Sequence, residues 1–354
     1  MAPYLDVRFA NASSLYAGAR EARKAIEEAR EALAAAVGAR PDEVVFTSGG
    51  TEADNLALQG VARRMKSQGR DGIVLSAVEH HAVLDTAVWL GRNGWRTRRV
   101  PVDRDGVIDL DALEQAIDAK TGIVSVMAAN NEVGTIQPIA ACAERARAAG
   151  AVFHTDAVQA LPWVEVSAGD ADLIALSAHK LGGPKGTGAV VIRRGVGVEP
   201  LVHGGGQERG LRSGTYDVAG IAGFGAAVTT VMARRDADSA RVRALRDRLQ
   251  DALVERIARV TVHGDGAERL PNNCNVGIEG VESEPLLLLL DAAGVAASSG
   301  SACQSGASEP SHVLTAMKAP ADGALRLTLG PTTTERDVDA AVERIVAAVE
   351  RLRR

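Results

Sequence analysis

The chain has 354 residues, 46% apolar, 24% charged and only 3% aromatic, with a formal net charge of −5. That length exceeds one small core and points to two domains, and the mild, interspersed negative balance argues against nucleic acid as a direct partner. The longest leucine block, Leu286–Leu290, is too short for a membrane span, MAPYLDVRF lacks a signal-peptide pattern, and three widely spaced cysteines make neither a disulfide framework nor a zinc site, so a cytoplasmic protein off the membrane is expected.

The first two-thirds of the chain repeats one pattern: a short apolar run, a Gly or polar turn, then a helix-period stretch. In chain order the runs are EVVFTSGG, GIVLSAVEHH, GIVSVMAANNE, AVFHTDAVQ and ADLIALSAHK, with helices in EADNLALQGVARRMKSQG and IAACAERARAAG. This alternation predicts βαβ units and a mainly parallel sheet with helices on both faces. Near residue 235 the pattern changes. DADSARVRALRDRLQDALVERIARV reads as one long amphipathic helix starting at an Asp/Ser-rich junction, followed by strand-like TVHGD, NNCNVGIEG and ALRLTLG and a last helix from Thr334 to about Arg353. The expected fold class is α/β, with a large domain over 10–235 and a smaller α+β C-terminal domain over 236–354, residues 1–9 packing on the latter.

Ligands of open parallel sheets bind beyond the carboxyl ends of the strands. Every strand end here carries polar residues: Gly50 and Thr51, Glu79 and His80, Asn130 and Asn131, Asp156 and Gln159, His179 and Lys180. TSGGTEADNLAL combines a strand, a glycine turn and a helix start, which suits a phosphate or a plain N-cap equally. GGPKGTG lacks the Gly-Lys-Ser/Thr ending of a P-loop, and HGGG at 203–206 has no Gly-x-Ser-x-Gly partner, so nucleoside triphosphates and a serine hydrolase are both set aside. His81 and Asp85 share a helix face, but no distant third ligand is signalled and no metal is expected. A buried Asp156 needs a cation, and a protonated pyridine nitrogen would serve. A lysine at a strand end is expensive unless it is used, and the collected set matches a Schiff-base site for pyridoxal phosphate (PLP).

Together TSGGTEADNLAL, EHHAVLDT, NNEVGTIQPI, HTDAVQA, SAHKLGGPKGTGA, HGGGQERGLRSGT and SSGSACQSGASEPSHVL resemble fold-type-I PLP enzymes of the class V aminotransferase group. The resemblance is closest to cysteine desulfurases of the NifS/IscS type. It implies that Lys180 holds PLP, that Gly50, Thr51, Ser177 and His179 meet its phosphate, and that Thr215 reaches that phosphate from the second subunit of a homodimer. Asp156 would pair with the ring nitrogen, Gln159 with the ring hydroxyl, and His80 would stack on the ring and relay a proton. Asn131, touching cofactor and substrate, and Arg326 would hold the carboxylate of L-cysteine. Cys303, in the Ser/Gly-rich loop, would take the substrate sulfur as a persulfide and pass it to an acceptor protein, an iron–sulfur scaffold or a thiolation enzyme, leaving L-alanine. Cys142 and Cys274 read as packing residues.

Other readings of the same motifs are a selenocysteine lyase, an aminotransferase, or a PLP-fold scaffold without turnover. Three features depart from the family. Leu5-Asp6 runs straight into Val7-Arg8-Phe9 where members carry a longer segment, and residues missing from this chain are the expected reason. A family Gly near Lys318 is absent before a slightly shortened connection to Arg326, and Tyr16 stands where a histidine is common.

Overall fold

The computed structural model describes residues 1–300 and 311–354. Contacts divide them into two compact units, one of residues 1–100, 110–128 and 138–234, the other of 101–109, 129–137 and 235–354.

The first unit is built on seven strands: β1 (Val44–Thr47), β2 (Gly72–Ser76), β3 (Arg96–Val100), β4 (Thr121–Ser125), β5 (Val152–Asp156), β6 (Leu173–Ser177) and β7 (Gly188–Ile192). They lie in the order β1-β7-β6-β5-β4-β2-β3. β3, β2, β4, β5 and β6 pair in parallel, whereas β7 runs antiparallel to both β6 and β1. All but β3 are buried along their length, which is why they read as continuous Val/Ile/Leu runs and not as alternation.

The helices of this unit are α1 (Ala2–Leu5), α2 (Ala17–Val37), α3 (Gly50–Lys66), α4 (His81–Arg92), α5 (Leu110–Ala116), α6 (Ile139–Ala148) and the start of α7 (Val218–Arg256). α3 buries Leu56, Leu58 and Val61 in a core shared with Val83 and Leu90 of α4 and with Ile73, Leu75, Ile123 and Val190 of the sheet.

In two places the expectation is corrected. The long helix does not start at the Asp/Ser-rich stretch near 235; α7 begins at Val218 and runs through it for 39 residues. Its first half, VAGIAGFGAAVTTVMAR, carries three glycines and several β-branched residues that lower helix propensity, but tertiary packing overrides propensity. A β carbon on Gly225 would lie 2.7 Å from Ala29 of α2, so the two helices approach at backbone distance. Residues 1–9 group with the first unit, not with the smaller one.

The second unit holds an antiparallel sheet in the order β10-β9-β8, from β8 (Val260–Val262), β9 (Asn273–Ile278) and β10 (Leu325–Thr328), with α8 (Ser283–Ala292), α9 (His312–Met317) and α10 (Glu335–Leu352). α10 turns Val338, Val342, Ile345, Val346 and Val349 inward and starts with a reciprocal cap. The Thr334 hydroxyl accepts the Asp337 N–H, and the Asp337 carboxylate accepts the Thr334 N–H.

Candidate active site

Strand direction decides where the polar ends meet. β1 and β6 both oppose β7, so β1 shares the direction of the parallel set, and Thr47, Ser76, Ser125, Asp156 and Ser177 finish on one edge of the sheet. β7 begins at that edge, with Gly188 opposite both Thr47 and Ser177. A β carbon on Gly188 would lie 2.5 Å from the carbonyl carbon of Gly49, so the turn before α3 rests directly on β7. Gly49 takes φ 147°, open only to glycine at low cost, and caps α3.

The first amides of this seventeen-residue helix have no helical acceptors, and its dipole favours an anion there. A β carbon on Gly50 would come within 2.8 Å of the Val158 side chain and 3.5 Å of Ser177 Cβ, so the helix start touches the segments that follow β5 and end β6. Thr51 is exposed in the first turn. Ser177 Oγ lies 2.8 Å from His179 Nδ1. Burial, and then the charges of Lys180 and Lys185, hold the His179 ring below its ordinary pKa, which keeps it neutral. Lys180 follows in the short turn Ala178–Leu181 and is exposed.

Beside this cradle lies a buried acid cluster. Asp156 accepts the Val158 N–H at 2.9 Å, and one carboxyl oxygen each of Asp54 and Asp156 and one ring nitrogen of His80 all fall within 4.8 Å of one another. His154 Nε2 stands 3.4 Å from Asp54 Oδ1, while its Nδ1 lies 2.9 Å from Ser125 Oγ. Burial, and next the charge of Asp54, push the Asp156 carboxyl up to about 7. Burial alone lifts Asp54 well above the carboxylate range, and it pushes His154 down to about 4. Glu79, raised chiefly by burial, accepts the Met127 N–H. His80 caps α4 by accepting the Ala82 N–H on Nδ1, which leaves Nε2 as the atom that carries the proton. Gln159 is half-buried in the turn after β5.

In the second unit Asn130 and its neighbours fix Asn131. Asn130 Oδ1 accepts the N–H groups of Glu132 and Val133, and the Glu132 carbonyl accepts the amides of Asn273 and Asn275 from β9. Arg326 lies opposite Asn275 on β10 and donates to the Asn131 carbonyl at 3.2 Å. The two residues expected to hold a carboxylate are thus neighbours.

Thr215 is exposed on the 203–217 loop and lines a cavity of about 170 Å³ with Thr47, Ser48, Thr187 and Arg212. The loop is fastened by Arg212 to Glu52 in the first turn of α3, at 2.8 Å. Cys303 lies outside the described residues. Cys142 and Cys274 are buried, and burial pushes their thiols up to about 12 and about 11. His81 and Asp85 face each other at 3.7 Å, a loose i,i+4 pair with Asp85 exposed.

Asp54 and His154 escaped sequence reading as site members, and Glu79 was noted only as a polar residue at a strand end. One signal was available: His154 precedes Asp156 by two residues in a strand, and so shares its face. Asp54 lies one helical turn after Thr51 and reads first as a dipole partner.

PLP fits these residues. A buried carboxylate faced by carboxylates and imidazoles suits a pyridinium, and the α3 start, whose first amides lack helical acceptors and which packs beside Ser177, suits a phosphate. The aminotransferase class-V family matches residues 1–341. The chain is 48% identical over 355 residues to an IscS-like cysteine desulfurase of Mycobacterium tuberculosis, covering 97% of this chain and 90% of that one. It is 44% identical over 358 residues to a cysteine desulfurase IscS of Dictyoglomus turgidum, covering 100% and 91%. A solved structure of a NifS-like protein superposes with a TM-score of 0.91 at 34% identity, over 99% of this chain and 94% of that one. With a strand-end cradle, a buried carboxyl cluster and full-length similarity in agreement, the chain belongs to the class V aminotransferase family and, within it, to the PLP-dependent cysteine desulfurases.

Proposed function

We propose that this chain converts L-cysteine to L-alanine, taking the sulfur as a persulfide on Cys303, with the strand-end residues as its machinery. The observation that carries the reading is Asp156, a buried carboxylate held ready for a cation beside the Gly50, Ser177 and His179 cradle. When bound, PLP supplies an electron sink for charge developing at the substrate Cα.

The chain's own groups then divide the work. The α3 amides at Gly50 and Thr51, the Ser177 hydroxyl and His179 bind the phosphate, and Thr215 of a second copy completes that cradle across a homodimer. The exposure of Thr215, and of Leu5, Val7, Phe9 and Leu15 near the N-terminus, supports such pairing. Asp156 holds the ring N–H and Gln159 the ring hydroxyl. Lys180 anchors the cofactor and moves the Cα proton. His80, with Nδ1 committed to Ala82, stacks on the ring and relays protons through Nε2. Asn131 and Arg326 grip the substrate carboxylate.

Cys303, as thiolate, attacks the substrate sulfur. The new S–S bond forms as the Cβ–Sγ bond breaks, and that bond's electron pair passes to Cβ, which takes a proton and leaves in alanine. The persulfide then passes to an acceptor protein, an iron–sulfur scaffold or a thiolation enzyme. PLP-loaded protein given L-cysteine and a thiol reductant should release alanine and sulfide in equal amounts. Release of alanine only from selenocysteine, or of neither product, would overturn the reading.

A further inference from the structure

Two buried carboxylates, Asp54 and Asp156, present oxygen atoms within 4.8 Å of each other. Two like charges at that distance in a water-poor site cannot both be held cheaply, so one carboxyl keeps a proton. Their surroundings differ. Asp156 already accepts a backbone N–H from Val158. Asp54, 1% exposed, has an Oδ1 that no hydrogen bond satisfies, and its neighbour at 3.4 Å, His154 Nε2, is likewise unsatisfied. A proton on Asp54 would give both atoms something to do: the acid can donate towards Nε2, while His154 Nδ1 bonds Ser125 Oγ.

We propose that Asp54 is a positioning residue that stays a neutral acid, keeping the pair's proton so that Asp156 alone is the anion offered to the ring nitrogen. This rests on the PLP assignment above. The titratable groups facing Asp156 are Asp54 from α3, Glu79 and His80 from the segment between β2 and α4, and His154 on its own strand. Burial keeps His154 neutral, with its pKa down at about 4, so it adds no charge at neutral pH. A neutral but polar group beside Asp156 adds no like charge and leaves the site less dry than an apolar side chain would, and both favour the ionised form of Asp156.

The test is the pH at which the holoenzyme loses half its PLP on dialysis, for wild type, Asp54→Asn and Asp54→Leu. Asn keeps a neutral polar group, so its midpoint should match wild type; Leu replaces it with an apolar one and should raise the midpoint by about one pH unit, roughly tenfold weaker retention at a fixed pH below it. A downward shift in Asp54→Asn would mean that Asp54 is ionised in the wild type, and an unmoved midpoint in Asp54→Leu would reduce it to packing. Either result overturns the proposal. Should the variants not fold, wild-type protein labelled with ¹³C at aspartate carboxyls, which excludes Glu79, decides alone. One aspartate should remain protonated at about pH 7.5, with and without PLP, and full ionisation would overturn the proposal. If the wild type holds no PLP at any pH, the cofactor assignment falls, and the label still shows whether an aspartate keeps a proton.

Discussion

Gly188 lies against Gly49 at backbone distance: a β carbon on the first would sit 2.5 Å from the carbonyl carbon of the second. That contact sets the height of the turn from which α3 starts, and so the position of the amides at Gly50 and Thr51. Gly188→Ala cannot be absorbed by a flexible side chain, because backbone lies on the other side. It should cost about 2 kcal/mol of stability by overpacking. It should also raise the PLP dissociation constant more than it changes the absorbance of the bound form. Equilibrium unfolding and PLP titration would check both, and unchanged PLP affinity would show that the turn can move without harm to the cradle.

A second contact holds the loop that carries Thr215. Glu208 is buried, with φ 48°, and its carboxylate accepts both terminal nitrogens of Arg30, at 2.7 and 2.9 Å, and the Phe46 N–H at 2.8 Å. Arg30 also donates to the Val44 carbonyl and stacks over the Phe46 ring at 4.8 Å. Arg30→Met would strand a buried carboxylate and should destabilise by about 3–5 kcal/mol, whereas Arg30→Met with Glu208→Gln should recover much of the loss. A double-mutant cycle by denaturant unfolding checks this. Equal losses in the single and double variants would mean that Arg30 acts through its stacking and not its charge.

The α/β pattern was legible because buried parallel strands announce themselves as apolar runs between helix-period stretches, and the site because their polar residues fall at the carboxyl ends. The start of α7 was not, since its glycines lower helix propensity while the close fit of Gly225 on Ala29 depends on a helix far away in sequence. The Asp54–His154 contact was hidden for the same reason: its partners come from α3 and β5, 100 residues apart, and neither motif shows the other.

Lys318 ends α9 with φ 55° and ψ 32°, near the position where the sequence lacks a family glycine. A left-handed residue with a Cβ costs roughly 1–2 kcal/mol, so Lys318→Gly should stabilise by about 1 kcal/mol after glycine's extra unfolded-state entropy is counted. Thermal unfolding would register this as a higher Tm. A lower one would mean that the lysine's aliphatic stem contributes more packing than its backbone conformation costs.

The sharpest prediction concerns the thiols. Cys142 and Cys274 are fully buried with raised pKa values, so neither offers a thiolate at neutral pH. Brief alkylation of the native protein should therefore mark Cys303 alone, and Cys142 and Cys274 only after unfolding. Cys303→Ser should still bind PLP, and L-cysteine should still change its absorbance, because substrate binding and Cα deprotonation are assigned to other residues. Alanine and sulfide should nevertheless fall by several orders of magnitude, since a serine hydroxyl is not a soft nucleophile near neutral pH. In the wild type, mass spectrometry after brief cysteine treatment should find one added sulfur on the peptide containing Cys303. A sulfur found on Cys142 or Cys274, or alanine formed by Cys303→Ser at the wild-type rate, would sink the persulfide route while leaving the PLP site intact.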